Sequence, residues 1–160
     1  MNNFIIQQSQ EDTKLAVSLH QNAEIGSIRL SRAKINAESP NESSTPIDIS
    51  MNIKSRHIES DDHRLLIEVT FKLTGTKKDP HAGEKHPVCV DCTFELSYQL
   101  RPGFQPDENQ IRAFKDGNAI FNCWPYCREF VHDAISRMGY PPITLPFLRV
   151  MPVKRKKALK

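Results

Sequence analysis

An α+β fold, a four-stranded antiparallel sheet followed by a long helix and preceded by a short one, is what the sequence predicts. Three observations lead there. Between residues 25 and 100 the chain makes four runs rich in β-branched and aromatic residues, mostly with apolar and polar side chains alternating. Beyond Asn118 the apolar spacing changes to three and four, the period of a helix face. Before residue 25, Leu15, Ala16, Leu19 and Ala23 show the same helical spacing, with Asp12 as a start signal.

The first run, Ile25 to Ile35, ends in the polar stretch Asn36 to Pro46, which reads as a loop. The second sets Ile47, Ile49, Met51 and Ile53 against Asp48, Ser50, Asn52 and Lys54, a strand with one wet face. The third does the same through Leu65, Ile67, Val69, Phe71 and Leu73, after the turn Asp61-Asp62-His63. A polar loop from Thr74 to Lys85 leads to the fourth, where Val88, Val90, Cys92, Phe94, Leu96, Tyr98 and Leu100 share a face. Four such strands suggest an antiparallel meander whose apolar face must be covered. The cover follows Arg101-Pro102-Gly103, which breaks the last strand. Asp107-Glu108 opens a short helix to about Phe114, and Asn118 begins a longer one that ends at Met138 with Gly139 as its C′ residue. Pro125 predicts a kink or a helix start near Trp124. The prolines of Tyr140 to Phe147 predict an extended exit.

At 160 residues, 38% hydrophobic and 26% charged, the chain reads as one globular domain, and its eleven prolines imply long connections. Met1 to Gln7 has no basic segment and only three apolar residues together, so no secretory signal is expected and the expected compartment is the cytoplasm. No run approaches membrane-spanning length. The net charge of +3 is uneven, since Lys154 to Lys160 carries five cations and the remaining body is slightly acidic. A basic patch over the whole fold is therefore not expected, and a nucleic-acid reading rests on that tail alone. No glycine-rich phosphate loop occurs among the six glycines.

Cys89, Cys92, Cys123 and Cys127 can be written as a zinc set, but three residues apart on a strand Cys89 and Cys92 point to opposite faces. Small apolar residues in a core is the favoured account of these thiols, reduced in the cytoplasm. Among the six histidines, His57, His63, His81, His86 and His132 have no nucleophile or carboxylate placed beside them by spacing, so no enzyme, no catalytic residue and no cofactor or metal is expected.

The segment Trp124-Pro125-Tyr126-Cys127-Arg128-Glu129, the helix running on to Arg137-Met138-Gly139, and the exit Tyr140-Pro141-Pro142-Ile143-Thr144-Leu145 resemble the SecB-like chaperone family. The order of four strands and then a helix matches too, so the resemblance covers roughly residues 25 to 145. The expected division is an N-terminal helical extension over residues 1–24, a SecB-like domain over 25–147, and over 148–160 a basic tail whose charge run predicts disorder. The implied function is ATP-independent holding of unfolded clients in apolar grooves by a homotetramer, a dimer of dimers. The export branch ends in a further helix and an acidic tail that help dock the translocation motor. This chain ends in bases, which puts the motor in doubt as a partner. Its helical N-terminus and Pro-Pro-x-Thr-Leu exit look like the branch that protects the antitoxin of a toxin–antitoxin pair. General preprotein export is the alternative.

Carried onto this chain, the resemblance assigns the client groove to Ile28, Leu30, Ile47, Ile49, Met51, Trp124 and Phe130. Each has a structural alternative. Ile47, Ile49 and Met51 are ordinary core if the sheet is fully covered, Trp124 suits oligomer packing equally, and Phe130 suits helix packing.

Overall fold

The structure, a computed structural model, describes residues 4–39, 47–79 and 83–153. Strand β1 (Phe4–Gln8) leads into α1 (Gln10–His20), and four long strands follow: β2 (Ala23–Ala37), β3 (Asp48–Ser60), β4 (Arg64–Asp79) and β5 (Gly83–Leu100). Then come α2 (Glu108–Phe114), a π-helical turn (Lys115–Ala119), α3 (Ile120–Arg137) and β6 (Leu148–Pro152). None of the described helices is long and apolar enough to cross a membrane.

Local chemistry sets the helix ends. Ser9 caps α1, accepting from the Asp12 amide at 2.9 Å and donating its hydroxyl to the Asp12 carboxylate at 2.7 Å. At α2, Asp107 and Gln110 form a reciprocal capping box. Gly139, at φ +80°, ends α3 as expected: the Tyr140 amide donates to the Ile135 carbonyl and the Gly139 amide to that of Ser136. No helix start falls at Trp124. The π turn runs directly into α3, which continues through Pro125, so the proline sits inside a helix held down by its buried face.

The sheet is antiparallel throughout, but its strand order is β2-β5-β4-β3 rather than a meander. Strands β3, β4 and β5 follow one another, and β2 lies beside β5. The long connection after β2, of which residues 40–46 lie outside the described residues, frees β2 from pairing with β3, so both remain edge strands. The Thr74-to-Lys85 loop is also shorter than expected: pairing between β4 and β5 continues to Asp79 and Gly83, with 80–82 outside the described residues.

Leu65, Ile67, Val69, Phe71 and Leu73 of β4 and Val88 to Leu100 of β5 turn their apolar side chains inward, where α3 covers them with Ile120, Cys123, Trp124, Cys127, Val131 and Ile135. Asn122 donates to the buried Tyr98 hydroxyl at 3.1 Å, so that phenol is not left unpaired. Burial pushes its ionisation well above the ordinary range.

The expected boundaries at the two ends meet in one element. Strand β6 pairs in parallel with β1, Phe4 opposite Leu148 and Gln8 opposite Pro152. Leu148 is buried, so residues 148–152 are folded rather than part of a tail, while 154–160 lie outside the described residues. Buried Gln8 donates its amide to the Ala113 carbonyl at 2.8 Å, beside Gly117 in the π turn. A short apolar strand gains stability here by closing the core beside Trp124.

Candidate functional site: an open apolar row beside the long helix

The helix α3 lies over β4 and β5 and leaves the apolar face of β2 incompletely covered. By register Ile25 lies opposite Tyr98, Ile28 opposite Leu96, Leu30 opposite Phe94, Ala33 opposite Cys92 and Ile35 opposite Val90. These five positions therefore extend the inner face of the sheet past the helix. Ile25, Leu30 and Ile35 are 51%, 41% and 39% exposed, whereas their partners on β5 are buried. Along the helix rim the Phe94 ring meets Phe130 edge-on at 6.4 Å and Tyr126 at 6.5 Å. An apolar row, an aromatic rim and a strand edge with no partner among the described residues thus lie together. Such an edge offers backbone donors and acceptors to an extended chain, and the row offers pockets to its side chains.

The seven expected groove residues fall into three places. Ile28, Leu30 and Phe130 belong to the row and its rim. Ile47, Ile49 and Met51 are half-buried at the opposite edge of the sheet, where Ile47 and Ile49 close over Gly75; a side chain there would meet the Ile47 methyl at 3.0 Å. Trp124 lies between the two edges and is only 4% exposed, so it lines no open surface of the protomer. Its ring packs against Phe4 at 5.2 Å and Phe71 at 5.9 Å. A large flat side chain in mid-helix is buried as soon as β1 closes on it, and β1 is the element that the sequence reading lacked.

Trp124 and Arg128, one helical turn apart, instead hold the exit segment. The indole nitrogen donates to the Pro146 carbonyl at 3.1 Å and the Arg128 guanidinium to that of Leu145 at 2.8 Å. Arg128 also stacks over the Phe147 ring at 4.9 Å. Ile25, Ile35 and Tyr126 were not among the expected residues. Two bulges, between Ile25 and Ser27 and between Leu30 and Arg32, each insert a residue and reverse the alternation, which hides this row from a period-two reading.

The four cysteines do not converge. Cys92, Cys123 and Cys127 are buried between sheet and helix, while Cys89 is half-buried on the outer face, opposite Thr74. A hydrogen bond with Cys92, then burial, raises the Cys127 thiol; burial raises that of Cys123. His57, His63 and His132 are exposed, and His81 lies outside the described residues.

No protein-family model matches the chain. Over 60 residues it is 40% identical to the SecB-like chaperone Rv1957 of Mycobacterium tuberculosis, covering 36% of this chain and 33% of that protein. Over 101 residues it is 27% identical to the protein-export protein SecB of Thiobacillus denitrificans, covering 62% of this chain and 59% of that protein. The chain thus aligns with a third of the mycobacterial relative and somewhat over half of the export protein. In fold it is similar to a structure of Mycobacterium tuberculosis Rv1957 in complex with a ChAD peptide from the Rv1956 HigA1 antitoxin. The TM-score is 0.74 at 20% identity, with 86% of this chain and 99% of that one covered. An inner sheet face covered by one long helix gives the chain the fold of that SecB-like chaperone over most of its length, with sequence likeness to SecB-like chaperones over shorter stretches.

Proposed function

We propose that the protein is an ATP-independent holding chaperone of the cytoplasm whose client is the antitoxin of a toxin–antitoxin system. The observation that carries this reading is the open apolar row of β2 beside the aromatic rim of α3, on a strand edge with no partner among the described residues. An unfolded segment presents apolar side chains and unpaired backbone groups together, and this edge meets both demands without chemistry on the client. The mycobacterial relative with an antitoxin peptide bound supports the choice of client. Exposed Phe121, Tyr126 and Phe147, at 52%, 44% and 73%, support assembly of protomers into the dimer of dimers that the family resemblance implies. In such an assembly Ile28, Leu30 and Phe130 line the groove, with Ile47, Ile49 and Met51 at its far edge.

The test is light scattering as a denatured antitoxin is diluted into buffer. Stoichiometric protein suppresses aggregation without nucleotide, and Leu30→Asp weakens client binding at least tenfold while circular dichroism stays unchanged, because a buried charge meets apolar client surface. A requirement for ATP, or full holding by the folded variant, would refute it. Likeness to the export protein SecB supports a second reading, general preprotein export. Tighter binding to the translocation motor than to an antitoxin would select it.

A further inference from the structure

The sheet face turned away from α3 is polar, and its charges are unevenly mixed. Register sets three adjacent rows across β2, β5, β4 and β3: Lys34-Asp91-Lys72-Asn52, then Arg32-Thr93-Thr70-Lys54, then Arg29-Glu95-Glu68-Arg56. Six cations and three carboxylates occupy these positions. Two of the carboxylates are already paired, and the third sits in register between two lysines. Glu95 takes Arg29 at 2.7 Å, Glu68 takes Arg56 at 2.7 Å with Arg32 at 3.7 Å, and Asp91 lies in register between Lys34 and Lys72. What faces solvent is the positive surplus, although the body of the chain is close to neutral.

The middle row has a distinct shape. Its two central side chains are short, and the Thr70 and Thr93 hydroxyls bond each other at 2.9 Å. They form the floor of an open cleft whose walls include Arg32, Lys34 and Asp91. One hydroxyl proton joins the pair, and the other is free for an incoming acceptor. Successive rows along a strand are about 7 Å apart, the spacing at which an extended peptide presents alternate side chains.

We propose that this outer face docks an extended acidic segment of a partner protein. One of its carboxylates sits over the Thr70–Thr93 pair, between Arg32 and Lys34 on one side and Lys54 on the other. The site lies on the opposite side of the sheet from the apolar row, so a client and an acidic partner engage the protein together. A nucleic acid fits this face less well: Glu68, Glu95 and Asp91 interrupt the track a phosphate backbone needs, and none of the three rows holds an aromatic ring for a base to stack on.

Fluorescence anisotropy on the full chain tests this with a fluorescein-labelled ten-residue peptide of alternating Glu and Ser, and with its Gln/Ser counterpart. The Glu peptide binds, the Gln peptide does not, and added salt weakens the complex. Substituting Arg32→Gln, Lys34→Gln and Lys54→Gln together lowers affinity about tenfold, since each exposed pair contributes a small factor. Removing equal charge from the helices, with Lys14→Gln, Arg112→Gln and Arg137→Gln, changes it less than twofold. If the sheet-face triple folds poorly, Lys54→Gln alone weakens binding about twofold. Unchanged affinity in the sheet-face variants assigns binding to the basic tail and overturns the proposal. So does equal loss in both triples, or tighter binding of a single-stranded oligonucleotide of the same charge at this face.

Discussion

The chain's single tryptophan reports directly on where the core ends. Trp124 is enclosed by Phe4 and Phe71, and its N–H is committed to Pro146, so its emission is that of a buried indole and, if the proposed client site on β2 is correct, stays unchanged on client binding. A client-induced shift of the emission maximum would return Trp124 to the groove. Trp124→Phe strands the Pro146 carbonyl and costs about 1–2 kcal/mol in a denaturant titration. The thiols give a second prediction at this scale. Raised ionisation keeps Cys123 and Cys127 protonated at pH 8, and the thiolate is the reactive species. Cys92 is buried beside them, so Ellman's reagent titrates at most the half-buried Cys89 in the native protein and all four cysteines after unfolding.

The π turn is one of the elements against which the N-terminal strand packs. A Cβ added to Gly117 would lie 2.2 Å from the Gln8 amide nitrogen, so the turn accommodates Gln8 only because residue 117 is glycine. In an ordinary helix Gly→Ala gains up to about 1 kcal/mol. Here Gly117→Ala expels the buried Gln8 amide and breaks its bond to the Ala113 carbonyl, and displacing a buried, hydrogen-bonded amide costs about 1–3 kcal/mol. The expected net effect is destabilisation. The double variant Gln8→Ala with Gly117→Ala should be less destabilised than the two single variants sum to, because the clash is gone. Additive losses in thermal denaturation would show that the two residues do not meet.

At the scale of the molecule, both ends of the chain close on the same place. Deleting Lys154 to Lys160 leaves thermal stability and client holding unchanged, because β6 ends at Pro152. Deleting from Leu148 onward removes the partner of β1, exposes Phe4 and Trp124, and lowers the melting temperature by roughly 5 °C or more, as expected for the loss of a few kcal/mol from a domain of this size. Equal stability of the two truncations would show that the clasp contributes nothing.

What the sequence by itself determined is everything governed by neighbours along the chain. Alternation located the inner faces of β3, β4 and β5, three-and-four spacing located α3, and Asp107 and Gly139 mark helix ends through bonds to residues within four positions, while α1 starts at a Ser9 cap rather than at Asp12. The carriers of the family resemblance are equally local, since Trp124 and Arg128 recur at one helical turn and grip an exit rigidified by proline. Strand order, the β1–β6 clasp and the burial of Trp124 were decided only in the tertiary structure. Phe4 and Leu148 are far apart in sequence, and a five-residue apolar run has no signature that names its partner. The open row of β2 was hidden for a related reason. Its bulges break the alternation locally, and only pairing with β5 restores Ile25, Ile28, Leu30 and Ile35 to one face.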